Sequence, residues 1–222
     1  MIRRVYEQAL KCKNLSKVIV ATDDGRIGEH VDSFGGQVMM TSPYHRSGTE
    51  RICEVVEILH KNDPETIYEV AVNIQGDEPY IDPTQIDNLI SCFKEKDIQI
   101  ATLIHEINLQ DELFSPNTIK VIIDKNRNAI TFSRASIPFM RGVEIDRWLN
   151  HHTYYKHVGL YAYRTQVLEI LARLKPSPIE IAESLEQMRW IENGFFIHTE
   201  LTTINSISVD TPEDLLKLTN IS

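Results

Sequence analysis

Ile2, Val5, Tyr6, Ala9 and Leu10 recur at helical spacing, so the chain opens inside an amphipathic helix. Lys17–Thr22 is a short apolar run closed by Asp23-Asp24-Gly25, which predicts a strand and then a helix reaching Phe34. Gly35-Gly36 stops that helix, and Gln37–Met40 is a second strand. Ile52, Val55, Val56 and Leu59 form the buried side of a helix running to His60, with Thr49 as its expected cap. Val70–Ile74 reads as a buried strand, followed by a helix near Pro83–Lys94 and a strand near Ile100–Ile104.

This alternation predicts an α/β fold with a doubly wound, mostly parallel sheet. The rhythm then changes. Thr118–Ile123 and Ala129–Ser133 flank the polar stretch Asp124–Asn128 as an antiparallel hairpin, the start of a smaller antiparallel elaboration. Val158–Tyr163 is a strand, Thr165–Leu174 and Pro178–Glu192 are helices, and Phe195–Thr203 is a late strand. Thr211-Pro212-Glu213-Asp214 begins a last helix, with a Thr cap, a first-turn Pro and acids facing the dipole. The chain reads as one domain in three stretches: a nucleotide-handling half (1–110), an elaboration (111–205) and a C-terminal stretch (206–222). One feature breaks the pattern. A doubly wound sheet begins with a strand in its middle, whereas here a helix comes first.

Of the 222 residues, 42% are hydrophobic and 25% charged, ordinary values for a globular protein. The net charge is -9 with Lys and Arg dispersed, which argues against attachment to nucleic-acid backbones. An acidic protein that binds a nucleotide therefore needs a local cation site. The three cysteines are distant from one another, without a CxxC spacing, so neither a disulfide framework nor a structural zinc is expected. No stretch approaches the roughly 20 apolar residues of a membrane span, and a cytoplasmic location is expected.

The segment Val70-Ala-Val-Asn-Ile-Gln-Gly-Asp-Glu-Pro79 carries the most chemistry. Ligands in open α/β sheets sit beyond the carboxyl ends of strands, which is where Asp77 falls. Asp210 follows Ile207-Ser-Val209 in the same way, just before the capped helix. Two carboxylates at one sheet edge would suit Mg²⁺ shared with substrate phosphates; the plain alternative is a pair of acidic turns. In His45-Arg-Ser-Gly-Thr-Glu-Arg51, the small Ser47 and Gly48 would let a base approach, and Arg46 and Arg51 supply charge. Arg134, after the hairpin, is suited to a bidentate grip on a carboxylate, or is a surface loop residue. His157, Gly159 and Tyr161 alternate on one face, equally compatible with a ligand and with ordinary packing. His151, His152 and His157 have no convincing metal spacing. Glu183, Glu186, Gln187 and Arg189 fall on one predicted helix, where facing solvent is the default reading.

Taken together, these segments resemble the 3-deoxy-manno-octulosonate cytidylyltransferases, also called CMP-Kdo synthetases. The matching stretches are Gly35-Gly36, Ser47-Gly-Thr-Glu-Arg51, Asn73-Ile-Gln-Gly-Asp-Glu-Pro79, Phe132-Ser-Arg-Ala-Ser-Ile-Pro138, His157-Val-Gly-Leu-Tyr-Ala-Tyr-Arg164, Pro176-Ser-Pro178, Leu185-Glu-Gln-Met-Arg189 and Val209-Asp-Thr-Pro-Glu-Asp-Leu215. Each is weak alone; in this order they are specific. The resemblance implies transfer of CMP from CTP to the anomeric hydroxyl of Kdo, with release of pyrophosphate, for lipopolysaccharide synthesis. It implies Mg²⁺ on Asp77 and Asp210, the nucleotide beside Thr49, Gln75 and the rest of the Ser47–Arg51 loop, and the sugar beside Arg134, His157, Tyr161, Glu186 and Gln187. It also implies a homodimer built through the elaboration.

The match has one gap. The family begins with a strand and a basic loop that cradles the triphosphate, and nothing here matches them. A start codon called at an internal Met, or a fragment, is expected, the former favoured. The expectation is an inactive, poorly stable chain with a gap in mid-sheet. The rival readings are a sialic-acid-type cytidylyltransferase, a non-catalytic truncated relative and a metal-dependent phosphoesterase.

Overall fold

The computed structural model describes residues 1–205. Helix α1 (Ile2–Ala9) turns Val5, Tyr6 and Ala9 inward. Strand β1 (Val20–Thr22), helix α2 (Gly25–Ser33) and strand β2 (Val38–Met40) follow. Asp24 caps α2 by accepting from the Arg26 N–H, and β1 and β2 pair in parallel. Helix α3 (Gly48–Asn62) leads to strand β3 (Val70–Asn73). Helix α4 (Pro83–Ser91), capped by Asp82 with Pro83 in its first turn, precedes strand β4 (Ile100–Glu106). These elements follow the predicted order closely.

Beyond β4 come α5 (Gln110–Phe114), the β5 (Lys120–Ile123) and β6 (Ala129–Ser133) hairpin, and α6 (Trp148–His151). The hairpin is antiparallel, as its flanking apolar runs predict. The chain continues through the long β7 (Tyr155–Arg164), α7 (Thr165–Leu171), α8 (Pro178–Glu183), α9 (Glu186–Glu192) and β8 (Ile197–Leu201).

The α/β expectation holds, with mixed rather than mainly parallel pairing. β3 and β4 do run parallel to each other, but β7 lies between them and is antiparallel to both. β8 is parallel to β4 on its other side, and β5 pairs with the start of β7. The β1–β2 pair forms its own sheet. Among the described residues no strand joins β1 to β3. Helix α3 packs on both of these strands.

Two apolar layers sandwich the main sheet. Ile100, Ile104, Tyr161, Tyr163, Met188, Trp190 and Ile197 gather on one face beneath α3, α7 and α9. Ala101, Leu103, Leu160, Ile86 and Leu89 gather on the other beneath α1 and α4. Tyr161 and Tyr163 both meet the Trp190 ring edge-on, at centroid distances of 5.2 and 5.5 Å.

Two local expectations need correction. Ser47, not Thr49, caps α3, its hydroxyl accepting from the Glu50 N–H. The predicted helix Pro178–Glu192 is two helices, broken at Ser184, which adopts a left-handed φ of 54°. Side-chain bonds reinforce that break. The Glu183 carboxylate accepts from the Ser133 hydroxyl and the Arg134 N–H, while the Arg134 guanidinium donates to the Glu183 and Ser184 carbonyls.

Candidate functional site

The site is assembled around the α3 N-terminus, the loop after β3, the middle of β7 and the α9 N-terminus. A Cβ added at Gly48 would lie 3.0 Å from the Asn73 side-chain amide, so glycine lets the α3 N-terminus close onto the end of β3. Glu50 accepts from the Arg46 N–H and Glu54 from the Ser42 N–H, which folds the preceding loop back on α3. The Arg46 side chain is left exposed. Arg51 donates to the Thr41 hydroxyl and pairs with Asp23 at 3.1 Å; it ties α3 to the ends of β1 and β2.

Gln75 and Asp77 lie on the loop beyond the carboxyl end of β3, as predicted. Gln75 is exposed and Asp77 half-buried. Helix α1 clamps this loop: Arg4 donates to the Tyr80 hydroxyl at 3.1 Å and Gln8 to the Ile81 carbonyl at 3.2 Å. Asp210, the other acidic candidate, lies outside the described residues.

Thr49 and Glu186, 137 residues apart, are joined by a 2.9 Å hydrogen bond from the Thr49 hydroxyl to the Glu186 carboxylate. This bond ties the nucleotide-side loop to the start of α9. Burial raises the Glu186 pKa, opposed by bonds from Ser47 and Thr49. Gln187, next in the helix, is 5% exposed, and its amide nitrogen has no hydrogen-bond partner. The buried Tyr161 hydroxyl makes no well-formed hydrogen bond, with the Thr102 hydroxyl as a polar neighbour. Buried polar atoms are nearly always satisfied, so each of these groups calls for a further partner, a water or a ligand.

His157 sits beside them. Its ring meets the Phe132 edge at 5.3 Å and its Nε2 lies 3.0 Å from the Thr102 hydroxyl. Desolvation lowers its pKa to about 3, which leaves a neutral imidazole at physiological pH. Arg134 stands at the end of β6. Its guanidinium donates to the carbonyls of Glu183, Ser184 and Pro116, bracing the site wall. A guanidinium carries more donors than these three bonds use.

The solvent-facing reading of the α9 region is corrected. Arg189 is buried and forms a salt bridge with Glu180, their side chains 6% and 13% exposed. Its Nη1 also donates to the Leu174 carbonyl. Glu180 completes a capping box with Ser177, so one carboxylate serves both the helix start and the ion pair.

Sequence reasoning missed two residues. Thr102 lies fully buried in β4, its hydroxyl bonded to the Leu160 carbonyl at 2.8 Å as well as facing His157. Lys120, also fully buried, donates to the carbonyls of Ser115, Thr118 and Arg134. Each is a lone polar residue in an otherwise apolar run, a signal present in the sequence.

Polar groups from the α3 N-terminus, the loop after β3, the middle of β7 and the α9 N-terminus gather on one mixed α/β sheet, the fold of nucleotidyltransferases. Comparison with known proteins makes this specific. A family profile described as cytidylyltransferase matches residues 1–204. The 3-deoxy-manno-octulosonate cytidylyltransferase of Parabacteroides distasonis is 49% identical over 98% of this chain and 85% of its own length. That of Cytophaga hutchinsonii is 46% identical over 100% and 87%. The solved structure of CMP:2-keto-3-deoxy-manno-octonic acid synthetase complexed with CTP superposes with a TM-score of 0.88 at 38% identity, covering 99% of this chain and 86% of that one. A putative glucose-1-phosphate thymidylyltransferase from Bacillus anthracis shares only the fold, with a TM-score of 0.62 at 14% identity. The chain belongs to the cytidylyltransferase family, among its 3-deoxy-manno-octulosonate cytidylyltransferases.

Proposed function

We propose that this chain transfers CMP from CTP to the anomeric hydroxyl of Kdo, releasing pyrophosphate and supplying lipopolysaccharide synthesis. The observation that carries the reading is the Thr49–Glu186 bond, which draws the nucleotide-side loop against the wall holding Tyr161, Gln187 and His157. Attack on the α-phosphorus places charge on phosphate oxygens and on the leaving pyrophosphate. Catalysis of such a step rests on positioning and charge stabilisation.

In this reading Gln75 and the 46–51 loop hold the nucleotide, with Gly48 permitting close approach. The Tyr161 hydroxyl and the unpartnered Gln187 amide, together with neutral His157, bind sugar hydroxyls. The remaining donors of Arg134 face the sugar carboxylate. Asp77, a hard oxygen donor on the loop after β3, fits Mg²⁺ with Asp210 as second ligand. The ion would neutralise phosphate charge and lower the hydroxyl pKa. A homodimer and a cytoplasmic location complete the proposal. Phe139 and Ile145, 75% and 58% exposed on the elaboration, favour the former; among the described residues no helix is long and apolar enough to cross a membrane.

The test is pyrophosphate release from CTP, Mg²⁺ and Kdo, with sialic acid as the competing acceptor. It uses the chain itself beside a fusion carrying the N-terminal strand and basic loop of a relative. Kdo-dependent release from at least one of the two is expected. No Kdo-dependent release in either protein overturns the function, and equal release with sialic acid moves it to the sister activity. Normal turnover by the chain alone removes the expectation of inactivity.

A further inference from the structure

We propose that Cys92, His198 and Glu200 form a binding site for a zinc-type divalent cation, on the sheet face opposite the nucleotidyl-transfer site. Their ligand atoms, a sulfur, an imidazole nitrogen and a carboxylate oxygen, all lie within 4.8 Å of one another. His198 Nε2 and Glu200 Oε2 are 3.9 Å apart. Each of the three residues is half-buried, shielded enough to hold an ion and open enough to admit one.

The fold explains the convergence. His198 and Glu200 alternate along β8 and so share a face, while Ile197 and Thr199 point into the other layer with no exposed surface. Cys92 opens the short 3-10 turn after α4 and packs against the layer of Ile86, Leu89, Ala101 and Leu103. Tyr161, Met188 and Trp190 belong to the opposite layer. An ion here would staple the end of α4 to strand β8.

The donor set selects the metal. Thiolate, imidazole and carboxylate together suit Zn²⁺ in tetrahedral geometry, with water as the fourth ligand, and do not suit Mg²⁺ or Ca²⁺. Coordination exchanges the sulfhydryl proton for the metal, and the proton passes to solvent. Arg127 is the competitor, since its Nη1 holds Glu200 Oε2 at 3.1 Å. A bound ion must displace this guanidinium.

The experiment titrates the reduced, chelator-treated chain with Co²⁺, followed by Zn²⁺. One Co²⁺ per chain, giving a thiolate-to-cobalt charge-transfer band that Zn²⁺ abolishes, is expected. Cys92→Ser should remove the band, and His198→Ala should weaken binding by at least about tenfold, the loss known even for outer-shell partners. Arg127→Ala should tighten it. No thiolate band, or a band that survives in Cys92→Ser, overturns the proposal. Should Cys92→Ser fail to fold, alkylation of Cys92 in the native chain decides: Zn²⁺ must slow it, and an unchanged rate overturns the site.

Discussion

The His157 and Tyr161 rings lie 5.0 Å apart, centroid to centroid, although they stand four positions apart in the same strand. In a regular strand that interval spans about 13 Å. The register explains the difference. Thr102 of β4 faces Tyr161 while the next residue, Leu103, faces Val158, so Gly159 and Leu160 bulge out of the ladder. The Thr102 hydroxyl reaches the carbonyls of Val158 and Leu160 across this irregularity. One bulge thus brings two candidate sugar-binding side chains into ring contact.

Thr102→Val should therefore undo more than one hydrogen bond. It keeps the shape but strands the Leu160 carbonyl and the His157 ring nitrogen, at a cost of about 1–3 kcal/mol. Urea unfolding measures the loss, and weaker Kdo binding should accompany it. An unchanged midpoint with normal Kdo binding would show that the bulge holds without Thr102.

His157 predicts an acid dependence. Its folded-state pKa is depressed to about 3 by desolvation, whereas the unfolded side chain titrates near 6.5. The unfolded chain takes up the proton first, so stability from this residue is full above pH ~6.5 and falls as pH drops toward ~3. The limiting slope is about 1.4 kcal/mol per pH unit. Unfolding curves across that window should be flatter in His157→Gln than in the parent chain.

The Glu180–Arg189 pair should tolerate joint replacement better than single loss. Arg189→Met leaves a carboxylate shielded without its partner, at a cost of about 3–5 kcal/mol, and Glu180→Gln in the same chain should recover part of it. A double-mutant cycle by chemical denaturation checks this; strict additivity would refute the coupling.

At Gly48 the effect should fall on function rather than on stability. Gly48→Ala places a methyl group 3.0 Å from the Asn73 amide and pushes the α3 N-terminus off β3. Misplacement of about 1 Å costs up to roughly a hundredfold in turnover. Steady-state kinetics of the fusion should show kcat/KM for CTP falling while Tm hardly moves.

Asp77→Asn keeps the loop's size and removes its charge. Turnover of the fusion should collapse at limiting Mg²⁺ and recover in part at high Mg²⁺. Near-normal turnover at limiting Mg²⁺ would remove Asp77 from the metal site.

Much of the frame was legible in the chain because apolar periodicity is a local property. Ile52, Val55, Val56 and Leu59 announce α3, and the runs around Asp124–Asn128 announce the hairpin. The α8–α9 break was not legible, since it depends on Arg134 and Glu183, some 50 residues apart. Alternation along His157–Tyr161 cannot reveal a bulge, which exists only relative to β4. For the same reason charge at Arg189 read as exposure, because its buried partner Glu180 is found only once two helices pack. Motif order carried the family; pairwise geometry carried what the residues do to one another.

Among the described residues strand β8 ends one side of the main sheet, and the hairpin turn reaches over to it. Arg127 offers its carbonyl to both the N–H and the hydroxyl of Thr199, and Asn128 bridges to His198. An exposed strand edge is a template onto which another chain can add, the first step toward fibres. By blocking a five-residue edge at its middle, the turn of a distant hairpin protects the folded molecule from self-association along β8.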